Sequence, residues 1–596
     1  MLMGGYWLSI SIGPVQGFIA AARRTRDLWY GSWLLSEVSK AVARSLHEQG
    51  VSLILPGIED EDLKPDSDLN VANKILAYVP DHLRPADVFA SAEQAGRDRL
   101  REEANQVLEK TRAFVNADLW EKQIDEFLEI YGAWVPGKKD DMESRRDVER
   151  LLDGRKALRD FSPGYGKERV PKSSLDARHE SVLNPRSLSD KDLRRLDLMT
   201  GEQLDAIGFV KRLGQGRKQY PSIGRIAADP WLRAIAEKQP ERLEALRRLA
   251  EQVPELPYLP WSQFKLFPYE ATICYPSRLE EALSGSEHES LREQIKKLVS
   301  KAPAASPYMA VLNADGDRMG AAIDGLKDED ELRKLSEKLS EFAREAQNII
   351  AKHYGALVYS GGDDVLAFVP LDRVLEAARD LHTRFSELLE QVVKGGQAPT
   401  LSIGIAVNHY REPLVDVLTR ARQALDYAKK PDRNGLAFCL YKRSGGDLLV
   451  RFRWDEDPDK RLKTWLRLLG SDSVPMQAAY ELNMLIGRYL PQDRGAPEDD
   501  GQRANREDDR ASEDVNGWIR EALRADAERL LKRKEIKDKG SLQTALELLF
   551  EGLEEPEDGS DKRKRDREWT EGFQRRVRMM LLAVQLLQVS RASDSM

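Results

Sequence analysis

Apolar positions between Ser306 and Arg443 follow two spacings, one typical of strands and one typical of amphipathic helices. Short apolar runs such as YMAVLNADG, ALVYS and VLAFVP predict strands. In ELRKLSEKLSEFAREAQNIIAKHYG, apolar residues recur every three or four positions, which predicts a helix that ends before Gly355. The resulting order is βαββαβ with one added helix and one added strand. This order predicts a ferredoxin-like α+β unit, with helices on one face of an antiparallel sheet.

The amino terminus repeats part of this pattern. YWLSISIG predicts a strand, LLSEVSKAVARSLHEQG a helix and VSLILPG a further strand. The segment from Leu35 to Gly57 parallels the later helix and strand, because both pass from a helix with Leu-Ser-Glu through a glycine into an apolar run. Helix–glycine–strand units are common, so chance stays an alternative, but we favour a duplicated module.

The chain is therefore expected to be a multidomain α+β protein with two ferredoxin-like units and two helical parts. A charged, mainly helical stretch separates the two units, and the carboxy-terminal part is helical again. The predicted boundaries are 1–90 for the first unit, which can continue into the insert, 91–300 for the helical insert, 301–445 for the second unit and 446–596 for the carboxy-terminal helical domain.

Two adjacent carboxylates, Asp363 and Asp364, lie at the tip of the predicted hairpin in GALVYSGGDDVLAFVP. The first strand of the same unit ends at Asp315 and Asp317, and a ferredoxin-like sheet makes it a neighbour of the hairpin. Three or four carboxylates at one edge are unfavourable unless cations neutralise them, and such ligands suit Mg²⁺ or Mn²⁺. Two such ions could clamp an in-line displacement at phosphorus. Asp315, Asp363 and Asp364 are thus candidate metal ligands and catalytic residues, while the role of Asp317 stays open.

Glycines and lysines near this edge are candidates for binding a nucleotide. Glycines let the backbone approach a ligand closely. Lysines that end a helix are candidate partners for a triphosphate, although more often they complement the helix dipole or stay solvated. A plain hairpin tip is the alternative for the whole motif, because Asp and Gly are turn residues. The expected nucleotide-binding set is Gly316, Ser360, Gly361, Gly362, Lys429 and Lys430.

Composition narrows the class of protein. The chain has 596 residues, of which 41% are apolar and 33% charged, and its net charge is −8. This balance fits a globular protein and argues against indiscriminate nucleic-acid binding. The apolar runs are shorter than the ~18 residues of a membrane helix, and no secretion signal is recognisable. The two cysteines, Cys274 and Cys439, cannot form a zinc site or a disulfide framework, so no zinc and a cytoplasmic location are expected.

Two basic stretches stand out against this acidic balance, AARRTRD and VKRLGQGRKQY. Each either binds nucleic acid or forms a solvated face, and both interpretations stay open. The basic residues concerned are Arg23, Arg24, Arg26, Lys211, Arg212, Arg217 and Lys218.

GGDD in a hairpin, NADGDRMG before it and SIGIAV, ALDYAKK and RNG after it resemble the palm domain of nucleotidyl cyclases, GGDEF-type diguanylate cyclases and palm polymerases. With SIGPVQGFIAAARRTRDLWYGSWLLSEVSKAVA at the amino terminus, the chain resembles the large signature subunit of type III-B (Cmr-type) CRISPR effector complexes. The likeness spans about Tyr6 to Arg443. It implies two palm domains and RNA-activated synthesis of cyclic oligoadenylate from ATP with two Mg²⁺ or Mn²⁺ ions. The implied partners are guide CRISPR RNA, target RNA and other Cmr-type subunits, without a membrane.

Carried over residue by residue, the resemblance implies metal ligation by Asp315, Asp363 and Asp364. It also implies that Gly361 and Gly362 shape the turn and that Lys429 faces the triphosphate.

The sequence departs from the family pattern in two places. None of the seven histidines precedes an aspartate, so no HD nuclease is expected, and the insert lacks the usual cysteine quartet. The first palm is expected to be catalytically silent, because SISIGPVQG offers no carboxylate at its strand end. Glu59 and Asp60 lie near the position of the GGDD tip, but no aspartate on the partner strand accompanies them.

Two other functions remain open. In one, the chain is a scaffold that anchors the guide RNA and neighbouring subunits without catalysis. In the other, it is a standalone cyclase that makes cyclic dinucleotides, although no sensory domain is evident. The candidate carboxylates argue against a pure scaffold, which would not need to bear their repulsion.

Overall fold

A computed structural model of the chain describes most of the sequence. The described residues are 4–57, 60–65, 67, 70–158, 170–184, 188–214, 219–253, 256–393, 398–443, 446–489, 516–553 and 562–593, with the backbone alone for 60, 516–518 and 562–567. Glu59, Arg217 and Lys218, which the sequence analysis singled out, lie outside the described residues.

The strands belong to two separate sheets. They are β1 (Tyr6–Gly13), β2 (Ser52–Leu55), β3 (Lys74–Val79), β4 (Glu129–Pro136), β5 (Tyr308–Gly316), β6 (Ala356–Gly361), β7 (Asp364–Val369), β8 (Leu401–His409), β9 (Gly435–Leu440) and β10 (Leu448–Arg453).

Helices connect and cover these sheets. They are α1 (Gln16–Ala20), α2 (Thr25–Glu48), α3 (Pro85–Thr111), α4 (Ala117–Phe127), α5 (Met142–Ala157), α6 (Asp190–Leu196), α7 (Ala206–Leu213), α8 (Ile223–Lys238), α9 (Pro240–Ala250), α10 (Leu279–Ala282), α11 (Glu289–Val299), α12 (Met319–Asp324), α13 (Glu329–Lys352), α14 (Val374–Leu389), α15 (Leu414–Lys429), α16 (Pro458–Gly470), α17 (Gln477–Tyr489), α18 (Asn516–Lys532), α19 (Lys539–Phe550) and α20 (Lys562–Ser590). No described helix is long and apolar enough to cross a membrane.

The two sheets share one topology. The first has the order β2-β3-β1-β4, and the second has the order β10-β9-β8-β5-β7-β6. Four consecutive strands of each sheet therefore follow the ferredoxin-like order, in which the first strand lies between the third and the fourth. The prediction of two ferredoxin-like units is confirmed, and the shared order is what a duplicated module requires.

Some details differ from the expectations. The first sheet takes its fourth strand, β4, from the stretch that was assigned to the helical insert. In the second sheet, β9 pairs parallel with β8, whereas the other neighbours are antiparallel. Helices α13 and α14 pack on one face, as predicted, but the added helix α15 packs on the opposite face.

Alternation along β5 explains how both faces of the second sheet become buried. Ala310 and Leu312 belong to the core beneath α13 and α14, whereas Met309 and Val311 belong to the core with helices of the insert and α15. Successive strand side chains point to opposite faces, so a fully apolar strand needs cover on both. The central strand is thereby held rigidly, which fixes the position of its end at Gly316.

The two units pack against each other reciprocally. Helix α13 of the second unit packs against β2, and α2 of the first packs against β6. Gly57, just after β2, donates its N–H to the Ser336 hydroxyl of α13 (2.5 Å), and a Cβ at Gly57 would lie 3.1 Å from the Arg333 carbonyl oxygen. The absence of a side chain at Gly57 thus allows this close approach.

Candidate functional site

The end of β5 and the β6–β7 hairpin meet at one edge of the second sheet. Ala314 is paired with Val365, and Gly361 with Asp364, so that Gly362 and Asp363 form the turn. The apolar runs on either side form the ladder, and Gly362 supplies the positive φ of +67° that the tight turn needs. The local pattern thereby delivers the predicted acidic tip beside the predicted strand end.

Asp363 lies directly against Gly316. A Cβ at Gly316 would be 2.7 Å from Asp363 Oδ2 and 2.8 Å from Asp363 Cβ, closer than real Cβ contacts. The glycine between Asp315 and Asp317 is therefore needed to admit the Asp363 side chain, whereas the sequence analysis assigned it to nucleotide approach.

Both hairpin carboxyls resist ionisation. Asp363 is half-buried and Asp364 is exposed, but surrounding protein atoms crowd both groups. Desolvation by burial, followed by the charge of Asp364, raises the pKa of Asp363 to about 7, and desolvation raises the pKa of Asp364 to about 6. No lysine or arginine of the described residues forms an ion pair with either group. A bound cation would favour their charged forms.

Asp315 and Lys429 form an ion pair at the same edge. Desolvation by burial, followed by the nearby Arg433 charge, lowers the pKa of Lys429. Lys430 is exposed and caps α15. The structure thus brings Lys429, but not Lys430, into contact with a predicted acidic residue.

Asp317, whose role the sequence left open, is buried beneath this edge with 1% of its surface exposed. Its carboxylate accepts hydrogen bonds from the Thr400 and Ser402 hydroxyls and from the Asn434 backbone N–H. These donors were not found by sequence reasoning, since only their polar character within an apolar strand pattern distinguishes them.

Three further residues, Ser360, Gly361 and Gly362, were predicted to bind the nucleotide, and the structure shows what surrounds each of them. A Cβ at Gly361 would lie 1.9 Å from the Tyr359 hydroxyl, so Gly361 makes room for that ring. Gly362 faces open space, with no atom within 4 Å of the position of a Cβ. Ser360 is buried, at 1% exposure, and its hydroxyl finds no hydrogen-bond partner among the described residues. Of these three, Gly362 alone presents an open approach from its Cβ side.

The acidic residues offer the type of ligand atom that a divalent ion prefers, but their side chains are not arranged around a common point. Within the described ranges, no group of three or more His, Cys, Asp or Glu side chains is arranged to hold a metal ion. Carboxylate oxygens are the ligands that Mg²⁺ and Mn²⁺ prefer. Desolvation raises the pKa of Asp363 and of Asp364, and a cation held by their oxygens would offset that cost. The donor set therefore fits, while Asp315 is engaged by Lys429.

The corresponding edge of the first sheet has a different chemistry. Strand β1 ends at Gly13, opposite Glu129 of β4, and is followed by Pro14. A cavity of about 310 Å³ lies there, and among its lining residues is Lys211 of α7. The ammonium of Lys211 donates to the carbonyl oxygens of Phe18 (2.7 Å) and Ala21 (2.6 Å). A buried amine thus lines the edge that, in the second sheet, carries carboxylates.

Several residues of the two basic stretches serve the fold. Arg212 is fully buried and forms ion pairs with Asp27 (2.9 Å) and Glu202 (3.0 Å). Arg26 is buried and donates to backbone carbonyls of residues 211, 212 and 214, and Arg24 is paired with Asp197 at 2.6 Å. The expectation of a solvated or nucleic-acid-binding face is wrong for Arg26 and Arg212, because tertiary packing buries their guanidinium groups.

Comparison with known families locates two matches on these units. Residues 308–437 match the family model described as "Cas10/Cmr2, second palm domain", and residues 7–115 match the model described as "CRISPR-associated protein Cmr2, N-terminal". Both palm units of the chain are thus similar to domains of Cas10/Cmr2 proteins. The second match covers β1 to β3, and the first covers β5 through the start of β9.

A curated protein is similar to part of the chain. The CRISPR system Cmr subunit Cmr2 of Pyrococcus furiosus is 31% identical over 225 residues, 31% of this chain and 26% of the relative. The match thus spans about a quarter of the relative's length.

Solved structures share the fold. A type III-B Cmr-beta structure in the apo state has a TM-score of 0.64 at 14% identity, covering 90% of this chain and 78% of that chain. The type III-B Cmr-beta structure bound to cognate target RNA has a TM-score of 0.62 at 14% identity, with coverages of 91% and 80%. The fold shared with these Cmr-beta chains therefore extends over nearly the whole chain.

Proposed function

We propose that the chain is the large subunit of a type III-B Cmr-type CRISPR effector complex and synthesises cyclic oligoadenylate from ATP when target RNA binds. The two family-model matches and the likeness to a curated Cmr2 subunit support the subunit role, and the second palm match supports a nucleotidyltransferase site. A Cmr-beta complex of similar fold has been solved with cognate target RNA, and we extend that partner to this chain.

The contact between Asp363 and Gly316 carries the enzymatic part of the proposal. It connects the acidic turn to the strand end at Asp315, where Lys429 also lies. Two carboxyls with raised pKa values, a third carboxylate and a lysine therefore share one sheet edge. Perturbed titratable groups that gather in this way are typical of functional sites.

In this proposal, Asp315, Asp363 and Asp364 hold two Mg²⁺ or Mn²⁺ ions and Lys429 faces the triphosphate. Bound divalent ions would lower the pKa of an attacking ribose hydroxyl and neutralise the leaving pyrophosphate. Lys429 would exchange its pairing with Asp315 for the phosphates, and Gly362 leaves the turn open for a nucleotide. Each linkage forms a bond from a ribose oxygen to an α-phosphorus and breaks the bond to pyrophosphate.

We further propose that the first palm packs beside the active one and helps to orient a second ATP, without chemistry of its own. The reciprocal packing of α2 on β6 and α13 on β2 supports such a shared interface. Guide CRISPR RNA and other Cmr-type subunits complete the proposed assembly, and the proposed location is the cytoplasm.

An assay of the assembled complex tests this function. The complex is incubated with labelled ATP, Mg²⁺ or Mn²⁺ and matched target RNA, and the products are analysed. Cyclic oligoadenylate that appears only with target RNA supports it. The variant Asp363→Ala with Asp364→Ala should abolish synthesis while the complex still assembles. Glu129→Gln, at the corresponding edge of the first sheet, is the matched control and should retain synthesis. Product formation by the double variant at the normal rate would show that the site is assigned wrongly.

A non-catalytic scaffold is the second candidate. The observation in its favour is that Asp315 is paired with Lys429 and that no described group of three acidic or His and Cys side chains is arranged to hold a metal. Absence of product under every condition of the same assay would support the scaffold. Product from the isolated chain without RNA would instead support a standalone cyclase.

A further inference from the structure

Asp317 makes more contacts beneath the sheet edge than its neighbours in the acidic motif. Thr400 Oγ1 donates to its Oδ2 (2.7 Å), and the Ser402 hydroxyl lies 2.9 Å from Oδ1 and 2.8 Å from Oδ2. The Asn434 N–H donates to Oδ2 at 3.0 Å, and the backbone N–H of Asp317 donates to the Thr400 carbonyl (2.7 Å). A buried carboxylate is stable only with such bonds, so these donors and Asp317 require one another.

Of the three segments that meet at Asp317, one carries Asp315, one follows Lys429, and the third is the strand paired with Asp315. Asp317 follows Asp315 and Gly316 at the end of β5. Ser402 of β8 is the ladder partner of Asp315. Asn434 ends the loop of residues 430–434 between α15 and β9, called here the Lys429 loop because Lys429 is the last residue of α15. The Arg433 N–H donates to the Lys429 carbonyl (3.0 Å). The Asp317 carboxylate, which directly follows the strand of Asp315, is thus hydrogen-bonded to the neighbouring strand and to the loop after Lys429.

Backbone strain is concentrated around the same carboxylate. Seven non-glycine residues of the described chain have positive φ. Three of them lie next to Asp317 or in the loop bonded to it: Arg318 (59°), Arg433 (63°) and Asn434 (46°). Left-handed conformations are unfavourable for residues with a Cβ and persist where surrounding contacts hold them. The bond from Asn434 N–H to Asp317 is such a contact, so its loss should let the Lys429 loop relax.

We propose that Asp317 is a positioning residue, which holds Asp315 and the Lys429 loop in the geometry that binds the metal ions and ATP. The inference rests on the proposed function for the identity of those ligands. Asp317 touches neither ligand in this account, since its carboxylate is directed to Thr400, Ser402 and Asn434.

A second set of contacts keeps the loop attached when Asp317 changes. Asn434 Oδ1 lies 3.0 Å from His382 Nε2, and Trp454 N–H donates to the Asn434 carbonyl (3.1 Å). The effect of substitution at Asp317 is therefore expected to be local, with the fold retained.

Asp317→Asn tests the proposal in the assembled complex, because the amide keeps the shape but replaces one acceptor oxygen by a donor. We expect amide hydrogen exchange of residues 430–434 to become about tenfold faster, as local opening becomes easier. We also expect half-saturating Mn²⁺ for metal binding and KM for ATP each to rise about tenfold, with a smaller change in kcat.

Asp205→Asn is the matched control, since Asp205 is also buried and accepts from the Ser173 hydroxyl (2.8 Å) and the Gly208 N–H (3.3 Å) at the start of α7. It should lower the Tm and leave exchange at 430–434 and Mn²⁺ binding unchanged. Equal effects of both variants on these two readouts would reduce Asp317 to a general stability residue and overturn the proposal.

The proposal would also be overturned if Asp317→Asn changed both the hydrogen exchange of residues 430–434 and the half-saturating Mn²⁺ concentration by less than twofold. If wild type makes no cyclic product, the proposed function fails, and hydrogen exchange at 430–434 alone decides the role of Asp317. If Asp317→Asn does not fold, Ser402→Ala, which removes one donor, decides instead. Faster exchange at 430–434 in Ser402→Ala supports the proposal, and unchanged exchange contradicts it.

Discussion

The two sheets share a strand order and differ at corresponding edges. Strand β1 ends at Gly13 and is followed by Pro14, whereas β5 ends in Asp315 and Gly316 and is followed by Asp317. The hairpin β6–β7 closes through Gly362 and Asp363 alone, whereas residues 56–73 separate β2 from β3. The comparison teaches that the repeated topology sets where a site can lie, while a few strand-end residues decide whether chemistry is present.

Substituting the two strand-end glycines, Gly316 and Gly13, should give the largest difference in activity between the two sheet edges. Gly316→Ala places a Cβ against Asp363, so Asp363 and the end of β5 must move apart. We expect about a 10²-fold loss of cyclic oligoadenylate synthesis, because displacing catalytic groups by about 1 Å costs a factor of this size in rate. Gly13→Ala is the control, since its Cβ would lie an ordinary 3.7 Å from the Glu129 carbonyl oxygen. A steady-state assay that finds equal rates for the two variants would contradict the distinction between the edges.

The pH dependence of stability tests whether the first sheet carries a buried amine, Lys211, where the second sheet carries carboxyls. Burial lowers the pKa of Lys211 to about 8. Between pH 8 and the unfolded value near 10.5, the unfolded chain binds a proton that the folded chain does not, so the free energy of unfolding rises with pH. The gain is about 1.4 kcal/mol per pH unit and at most about 3 kcal/mol.

Urea unfolding at pH 8 and pH 10 measures this gain as a difference between wild type and Lys211→Met. Wild type should gain stability relative to the variant as pH rises, because methionine carries no proton. A constant difference between the two proteins across this pH range would show that Lys211 is not a desolvated amine.

The turn of the hairpin gives a smaller effect. Gly362 has a φ of +67° and its Cβ position faces open space, so an alanine there is limited by backbone strain alone. Gly362→Ala should lower the free energy of unfolding by about 1 kcal/mol. Gly362→Asn should cost less, because asparagine tolerates the left-handed region better. Thermal unfolding of the two variants checks the order, and an equal cost would point to a different origin of the strain.

The smallest effect concerns an ion pair between the units. Arg344 of α13 and Asp62 of the first unit lie 2.9 Å apart near the surface. A double-mutant cycle with Arg344→Ala and Asp62→Ala should give a coupling energy of roughly 0.2–1 kcal/mol, which high salt reduces. A coupling above this range would mean that the pair is shielded from solvent more than its exposure indicates.

Local patterns were sufficient to predict much of the second unit. The helix from Glu329 to Lys352 followed from apolar spacing, and Asp328 caps its start by accepting from the Glu331 N–H (2.9 Å). The GGDD hairpin followed from two apolar runs around turn residues. The likeness between residues 35–57 and the later helix and strand likewise predicted that the amino-terminal unit has a ferredoxin-like sheet of its own. Such features depend on neighbouring residues, so the sequence carries them directly.

The sequence alone determined the two ferredoxin-like units, the acidic turn and the strand end at Asp315. Only the tertiary structure decided which side chains these groups contact. The donors of Asp317 lie 83 to 117 residues away, and Asp315 is paired with Lys429. The basic residues Arg26 and Arg212 became internal contacts for the same reason: burial and pairing are set by long-range packing, which no local pattern of residues encodes.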